Sequence, residues 1–273
     1  MKKIYYSFIS VFVLALSGCS GMLEPEPYGL VELDLVWTKY NYTASYADRL
    51  GANNEWTGGF DYSAYTDEAQ DVTDRIGGNY YNWNTSDFSA SNFPLKGNYF
   101  NAYNNIRTSA YYLNNEYKIT YDGLDPNERN FWIANDNVTR AWHHFDLMRR
   151  YGKAVLFDEV FAPDEDFTDV HISGPEAIAD FIMEDLDAAL EIPEAESSPY
   201  AFRWQLTDDD QGVLNRGFAW VLKSRTALFA ASPLFYEEGS KYDWEKAYQI
   251  NKEALEQLLK HEHALVDITP AAT

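Results

Sequence analysis

The chain has 273 residues, with 43 acidic against 21 basic side chains, a formal net charge of −22, 46% hydrophobic residues and a single cysteine. So acidic a body is repelled by nucleic-acid phosphates and anionic lipid headgroups, because affinity for both comes from Lys and Arg. The hydrophobic content excludes a disordered chain, and one cysteine excludes a disulfide framework.

Met1-Lys2-Lys3 followed by the apolar residues 4–16 reads as a secretory leader, since so short a run falls below the roughly 20 residues a spanning helix needs. The leader closes on Leu16-Ser17-Gly18-Cys19, which resembles the lipobox of bacterial lipoproteins. Cleavage before Cys19 leaves a thiol to carry diacylglycerol, and acyl chains worth about 0.8 kcal/mol per buried CH₂ hold a soluble body on a membrane. Residues 1–18 are thus expected to be a signal peptide. The short acidic, proline-bearing segment 19–31 is a tether, and 32–273 is the folded domain. No later apolar run reaches membrane-spanning length. Gly58-Gly59 and Gly77-Gly78 lack the spacing and the following Lys of a phosphate loop.

A first helix is expected over about 32–50. Residues 51–97 carry glycines, asparagines and nine aromatic residues without sustained periodicity, and read as long ordered loops. From residue 98 the pattern becomes helical. Tyr99, Tyr103, Ile106, Ala110, Leu113 and Tyr117 recur at three- and four-residue steps, predicting an inward stripe. Asp125 caps a helix with Pro126 in its first turn, Glu128 completes a box-like start, and Gly152 ends it. Its inward face is Ala134, Val138, Ala141, Trp142, Phe145 and Met148. The segment "GKAVLFDEVF" is extended. A helix over about 174–193 turns Ile178, Phe181, Ile182, Leu186, Ala189 and Leu190 inward. An acidic connection follows, with Thr207 or Asp208 as the expected cap of a helix running to about Tyr236, ended or kinked by Pro233. Asp243 caps the last helix, where Trp244, Ala247, Tyr248, Leu255, Leu258 and Leu259 share a face. The final pair looks like a tetratricopeptide unit, although no 34-residue period runs through the chain. The fold class is mostly α, a tetratricopeptide-like helical array with long ordered loops.

Several segments, in this order, resemble the SusD/RagB family of surface lipoproteins. They are the leader with Cys19, "YFNAYNNIRTSAYYLNN", "RAWHHFDLMRRYGKAVLFDE", "IMEDLDAALEIPE", and "KSRTALFAASPLFY" followed by "DWEKAYQINKEAL". Thr108-Ser109 stands where Ala-Asn is common in the family, and Ala154-Val155-Leu156 departs from its usual proline. The resemblance implies an outer-membrane lipoprotein facing the cell exterior. It would bind oligosaccharides or other nutrients, without a cofactor or covalent chemistry, and deliver them to a SusC-like TonB-dependent transporter. Family members are about twice this length, so their C-terminal half is expected to be missing. The alternative is therefore a truncated helical module that docks on the transporter without binding glycan itself.

Sugars are held by aromatic faces against their C–H surfaces and by Asn, Asp and Arg on their hydroxyls. "RIGGNYYNWN" at 75–84 has that mixture, which nominates Tyr81 and Trp83 as platforms and Arg75 and Asn84 as hydroxyl partners. The same aromatics also suit pinning the loop to the helices. His143 and His144 are adjacent, so on a helix they point about 100° apart and do not form an i, i+4 metal pair. They read as core or surface histidines, and His261 and His263 likewise. The acidic runs at 163–169 and 207–212 lack a calcium-loop spacing. No nucleophile elbow is present, so neither a catalytic nor a metal site is expected.

Overall fold

The computed structural model describes residues 33–52, 96–161, 164–195, 201–205 and 213–264. The chain divides into two compact units, Met1–Val36 and Trp37–Thr273, and all the α-helices described lie in the second. In order they are α1 (Tyr40–Ala52), α2 (Lys96–Asn115), α3 (Pro126–Tyr151), α4 (Pro175–Glu191), α5 (Arg216–Ala231) and α6 (Trp244–Lys260). A two-residue antiparallel ribbon pairs β1 (Ala154–Val155) with β2 (Ile172–Ser173). From α2 onward each helix packs against the next, and α1 lies on α2 and α3. This is a series of antiparallel hairpins, as the periodicity predicted.

Local capping explains most boundaries. Asp125 accepts from the Asn127 amide at 2.8 Å with Pro126 in the first turn, and Gly152 ends α3 at φ 71°, a left-handed conformation that disfavours any Cβ. Asp243 accepts from the Lys246 amide at 2.7 Å to start α6. Other boundaries differ from expectation. The first expected helix is broken into a 3-10 turn, Leu33–Trp37, and α1, because the Trp37 carbonyl turns away to accept from the Thr120 amide at 3.1 Å. Helix α5 is capped by Asn215, whose Oδ1 accepts from the Phe218 amide at 2.8 Å; Thr207 and Asp208 lie outside the described residues. The helix stops at Ala231, two residues before Pro233, so that proline marks its end, as one of the two expected outcomes had it, and the helix does not run on to Tyr236. Glu128, three residues after the Asp125 cap, is buried and accepts from the Tyr40 hydroxyl at 2.6 Å.

Helix α3 is the centre of the core. The six residues expected inward are all buried, and Ala134, Val138, Ala141, Phe145 and Met148 have no exposure at all. Packing between α1, α2 and α4 also buries polar residues on its remaining sides: Asp136, Asn137, Thr139, Arg140, His143 and His144. Arg140 holds α3 to α4 through a bidentate pair, Nε to Asp185 Oδ2 at 3.0 Å and Nη2 to Asp185 Oδ1 at 2.6 Å. Burial lifts the Asp185 carboxyl above its usual range, with Arg140 pulling against that rise. One turn before Arg140, Asp136 is fully buried, and desolvation holds its carboxyl well above the ordinary value. His143 and His144 are neutral for the same reason, lowered by burial to about 4 and about 3. The His144 Nδ1–H donates to the Arg140 carbonyl at 2.9 Å, because a carbonyl can only accept. Further along, buried Arg216 donates to the carbonyls of Leu190, Ile192 and Phe202, closing the C-terminal end of α4 against the segment at 201–205.

Two stripes are rotated from expectation. On α2 the buried residues are Ala102, Ile106, Ser109, Ala110 and Tyr112; Ile106 and Ala110 of the expected stripe are thus inward, while Tyr99 is 37% exposed and Tyr117, in the 3-10 turn after the helix, 69%. On α6 the buried residues are Ala247 and Ala254, while Trp244, Tyr248, Leu255 and Leu259 are exposed. In both helices small residues allow the neighbouring backbone close, and the large apolar residues beside them are turned outward.

Candidate functional site

Three aromatic residues open α2, at Tyr99, Phe100 and Tyr103, and α3 ends on a fourth, Tyr151. The left-handed turn at Gly152 reverses the chain into β1, and the Tyr103 hydroxyl accepts from the Val155 amide at 2.8 Å, pinning β1 against α2. Phe157 thereby stacks on Tyr103, with centroids 6.0 Å apart and planes at 17°. The rings form a continuous chain. Tyr99 meets Tyr103 at 4.8 Å, Tyr151 at 5.3 Å and Phe100 at 5.7 Å; Phe157 meets Phe161 at 5.7 Å, and Phe161 meets Phe167 at 5.4 Å. Edge-to-face and offset contacts of this kind hold aromatic rings in fixed orientations.

The ridge is open at its ends, with Phe100 68% and Phe167 52% exposed. Burial pushes the Tyr103 hydroxyl up to about 12 and raises that of Tyr151, so both stay neutral at working pH. Lys153, Asp158, Glu159, Asp164 and Asp166 are carried on the same connections. Asp166 caps its own turn by accepting from the Thr168 amide at 2.9 Å. Such a surface offers flat apolar faces beside hydrogen-bonding groups. Among the described residues no group of three or more His, Cys, Asp or Glu converges as metal ligands.

A cleft of about 570 Å³ lies at the opposite end of the α2–α3 hairpin, lined by Tyr121, Asp122, Arg129, Asn130 and Ile133 among others. Arg129 is engaged there with Glu116. Helix α1 starts at this end, where Tyr40 meets Tyr121 and Trp132, and runs antiparallel to α2 past the bond from the Tyr46 hydroxyl to the Thr108 carbonyl. Its last residue, Ala52, therefore lies toward the ridge end, where α2 begins at Lys96. The segment between them carries Arg75, Tyr81, Trp83 and Asn84. These four, and Cys19, lie outside the described residues, so the structure tests none of them.

Sequence reasoning passes over the ridge. Tyr99 and Tyr103 fit a helical stripe whose spacing turns them inward, Phe157 and Phe161 fall in an extended segment without periodicity, and Phe167 falls in the acidic run that follows it. The available signal is aromatic density on both sides of the Tyr151-Gly152 turn.

The histidines stand as expected for core and packing residues. His143 and His144 are buried, and His261 stacks on Trp204 at 3.8 Å with planes 5° apart.

Hairpins of antiparallel helices stacked in chain order define a tetratricopeptide-like array. More narrowly, the chain has the SusD-like fold. A SusD-like protein from Bacteroides fragilis matches with TM-score 0.63 and 19% identity, over 86% of this chain and 41% of its own. A laminarin-binding SusD-like protein matches with TM-score 0.62 and 16% identity, over 81% of this chain and 44% of its own. NanU of B. fragilis matches with TM-score 0.62 and 14% identity, over 89% and 46%. The chain thus spans less than half the length of these solved structures. No protein-family model and no curated protein matches the sequence.

Proposed function

We propose that this chain is a cell-surface lipoprotein that captures oligosaccharides or other nutrients and delivers them to a SusC-like TonB-dependent outer-membrane transporter. Residues 1–18 direct export, Cys19 carries the lipid, 19–31 form the tether, and the helical domain faces the cell exterior. Binding is non-covalent and needs no cofactor. Glycan is taken on aromatic faces, those of Tyr81 and Trp83 with Arg75 and Asn84 on the hydroxyls, alongside the ridge of Tyr99, Phe100, Tyr151 and Phe167.

The observation that carries this reading is a partly exposed chain of fixed aromatic rings on a SusD-like fold, a fold that laminarin- and carbohydrate-binding proteins share. Among the described residues no helix is long and apolar enough to cross a membrane, which suits attachment through lipid. The second reading is a helical module that docks on the transporter without binding sugar.

Calorimetric titration of the chain against a glycan panel separates the two. Capture predicts heat of binding that Trp83→Ala and a Phe100→Ala/Phe167→Ala variant each reduce at least tenfold. Silence across the panel, with co-purification of a large β-barrel, supports the docking module. Failure of labelled palmitate to enter the wild-type chain, or equal membrane attachment of Cys19→Ala, overturns the anchor.

A further inference from the structure

The downstream half of the aromatic ridge is carried on one connection, and that connection is acidic. Residues 152–174 hold six acids, Asp158, Glu159, Asp164, Glu165, Asp166 and Asp169, against Lys153 as their single Lys or Arg. All six acids are exposed, and each lies within three residues of Phe157, Phe161 or Phe167. Successive Cα atoms are about 3.8 Å apart, so the acids sit within about 11 Å of ridge backbone. That is comparable to the screening length, about 8 Å at physiological ionic strength. The charge is also held in place. Asn114 Nδ2 donates to the Asp158 carbonyl, and the Thr168 hydroxyl and amide both donate to Asp166 Oδ1. The two bonds from Thr168 keep the Asp166 carboxyl below its usual range, beside Phe167.

A sugar bearing carboxylate or sulfate needs a cation to meet it, an Arg fork or a Lys ammonium group. The arginines that end α3 are already engaged. Arg149 Nε and Arg150 Nε donate to Asp146 Oδ1 at 2.6 and 2.9 Å, and the Arg149 guanidinium lies 5.5 Å over the Trp142 ring. Lys153 is outnumbered by the acids of its own connection, and exposed Arg107 stands seven residues, about 10 Å, along α2 from Phe100. An anionic sugar laid along the rings therefore meets a negative field, on a body whose net charge of −22 already opposes its approach. A neutral sugar meets no such penalty: its C–H faces lie on the rings and its hydroxyls donate to the carboxylates. Selectivity of this kind comes from repelling the wrong ligand as much as from holding the right one.

We propose that the ridge selects uncharged oligosaccharides, with Asp158, Glu159, Asp164 and Asp166 as specificity-determining residues that repel glycans bearing carboxylate or sulfate. The inference rests on the capture reading above and narrows its substrate class.

The test is calorimetric titration of the full chain with neutral hexaoses of glucose, mannose and galactose, each beside the same hexaose oxidised to the carboxylate at C6. EDTA in the buffer removes divalent cations that would bridge one carboxylate to another. At about 0.1 M salt, where the screening length is about 10 Å, the neutral member of a binding pair is expected to bind roughly tenfold tighter or more. At about 1 M salt the screening length is about 3 Å, and the ratio should narrow by roughly threefold or more. The variant Asp158→Asn/Glu159→Gln/Asp164→Asn/Asp166→Asn keeps an acceptor at each position and should narrow the ratio at low salt by roughly fivefold or more. The salt comparison needs only the wild-type chain, so it decides the matter even where the variant does not fold. A smaller ratio in the wild type, or one that neither salt nor the variant narrows, overturns the selectivity while leaving capture intact. Silence from every pair instead overturns the capture reading, and this inference with it.

Discussion

Replacing Arg140 by Met removes the cation that joins α3 to α4 within the buried interface between them. Its guanidinium makes two bonds to Asp185, at 3.0 and 2.6 Å, with side-chain exposures of 10% and 6%, and lies 5.2 Å over the Phe181 ring. Methionine keeps most of the stem packing but leaves the Asp185 carboxylate desolvated and unpaired, a loss of about 3–5 kcal/mol for a buried pair. That is a large share of the roughly 5–15 kcal/mol by which a domain is stable. Asp136 loses the same cation one turn away, which adds to the cost. Protonation offers relief, because burial already raises both carboxyls, so the penalty should shrink as the pH is lowered toward 5. Urea unfolding at pH 7 and pH 5, with the slope checked for constancy, measures both effects. The double variant Arg140→Met/Asp185→Leu should recover most of the loss, since apolar replacement of both partners removes the uncompensated charge. A single-variant cost under about 1 kcal/mol, or a double variant no better than the single, would refute the claim that this pair acts by mutual compensation.

His143 and His144 have folded pKa values lowered from 6.5 to about 4 and about 3, so their contribution to stability is full above 6.5 and is lost as pH falls through these values. Each tenfold change in proton affinity is worth about 1.4 kcal/mol, so His143 alone gives roughly 3 kcal/mol of acid destabilisation. Thermal melts from pH 8 to 4 should show it, and an unchanged acid slope in a His143→Phe/His144→Phe variant would contradict it. Asp136 acts in the opposite sense: its raised pKa means stability declines as pH rises above the unfolded value of 3.8, and Asp136→Asn should flatten that alkaline limb in the same melts. Asn215→Ala removes both the α5 cap and a bond from Nδ2 to the Trp204 carbonyl, with an expected loss of about 1–2 kcal/mol by urea unfolding. Gly152→Ala should cost about 1 kcal/mol in the same assay. There φ is 71°, and a Cβ would meet Phe235 only at 3.6 Å, so backbone strain rather than a clash sets the loss.

Chain-local chemistry is readable from residue order. Asp125-Pro126, Gly152 and Asp243 mark helix ends because a cap is satisfied within a few residues of itself, and the 3.6-residue period marks α3 and α4 because both are buried against neighbours on the expected side. The ordered segments that resemble SusD proteins anticipate a fold that solved structures share. What residue order alone does not assign is which flank of an apolar stripe meets a neighbour. Trp244, Tyr248, Leu255 and Leu259 read as core, yet close approach of α5 selects Ala247 and Ala254. Tyr99 reads as core too, and the turn at Gly152 makes it part of a surface ridge with rings more than fifty residues downstream. The Arg140–Asp185 pair spans 45 residues and carries no periodic signal. Periodicity specifies that a helix has an apolar side; only the packed neighbour decides which residues of that side are covered.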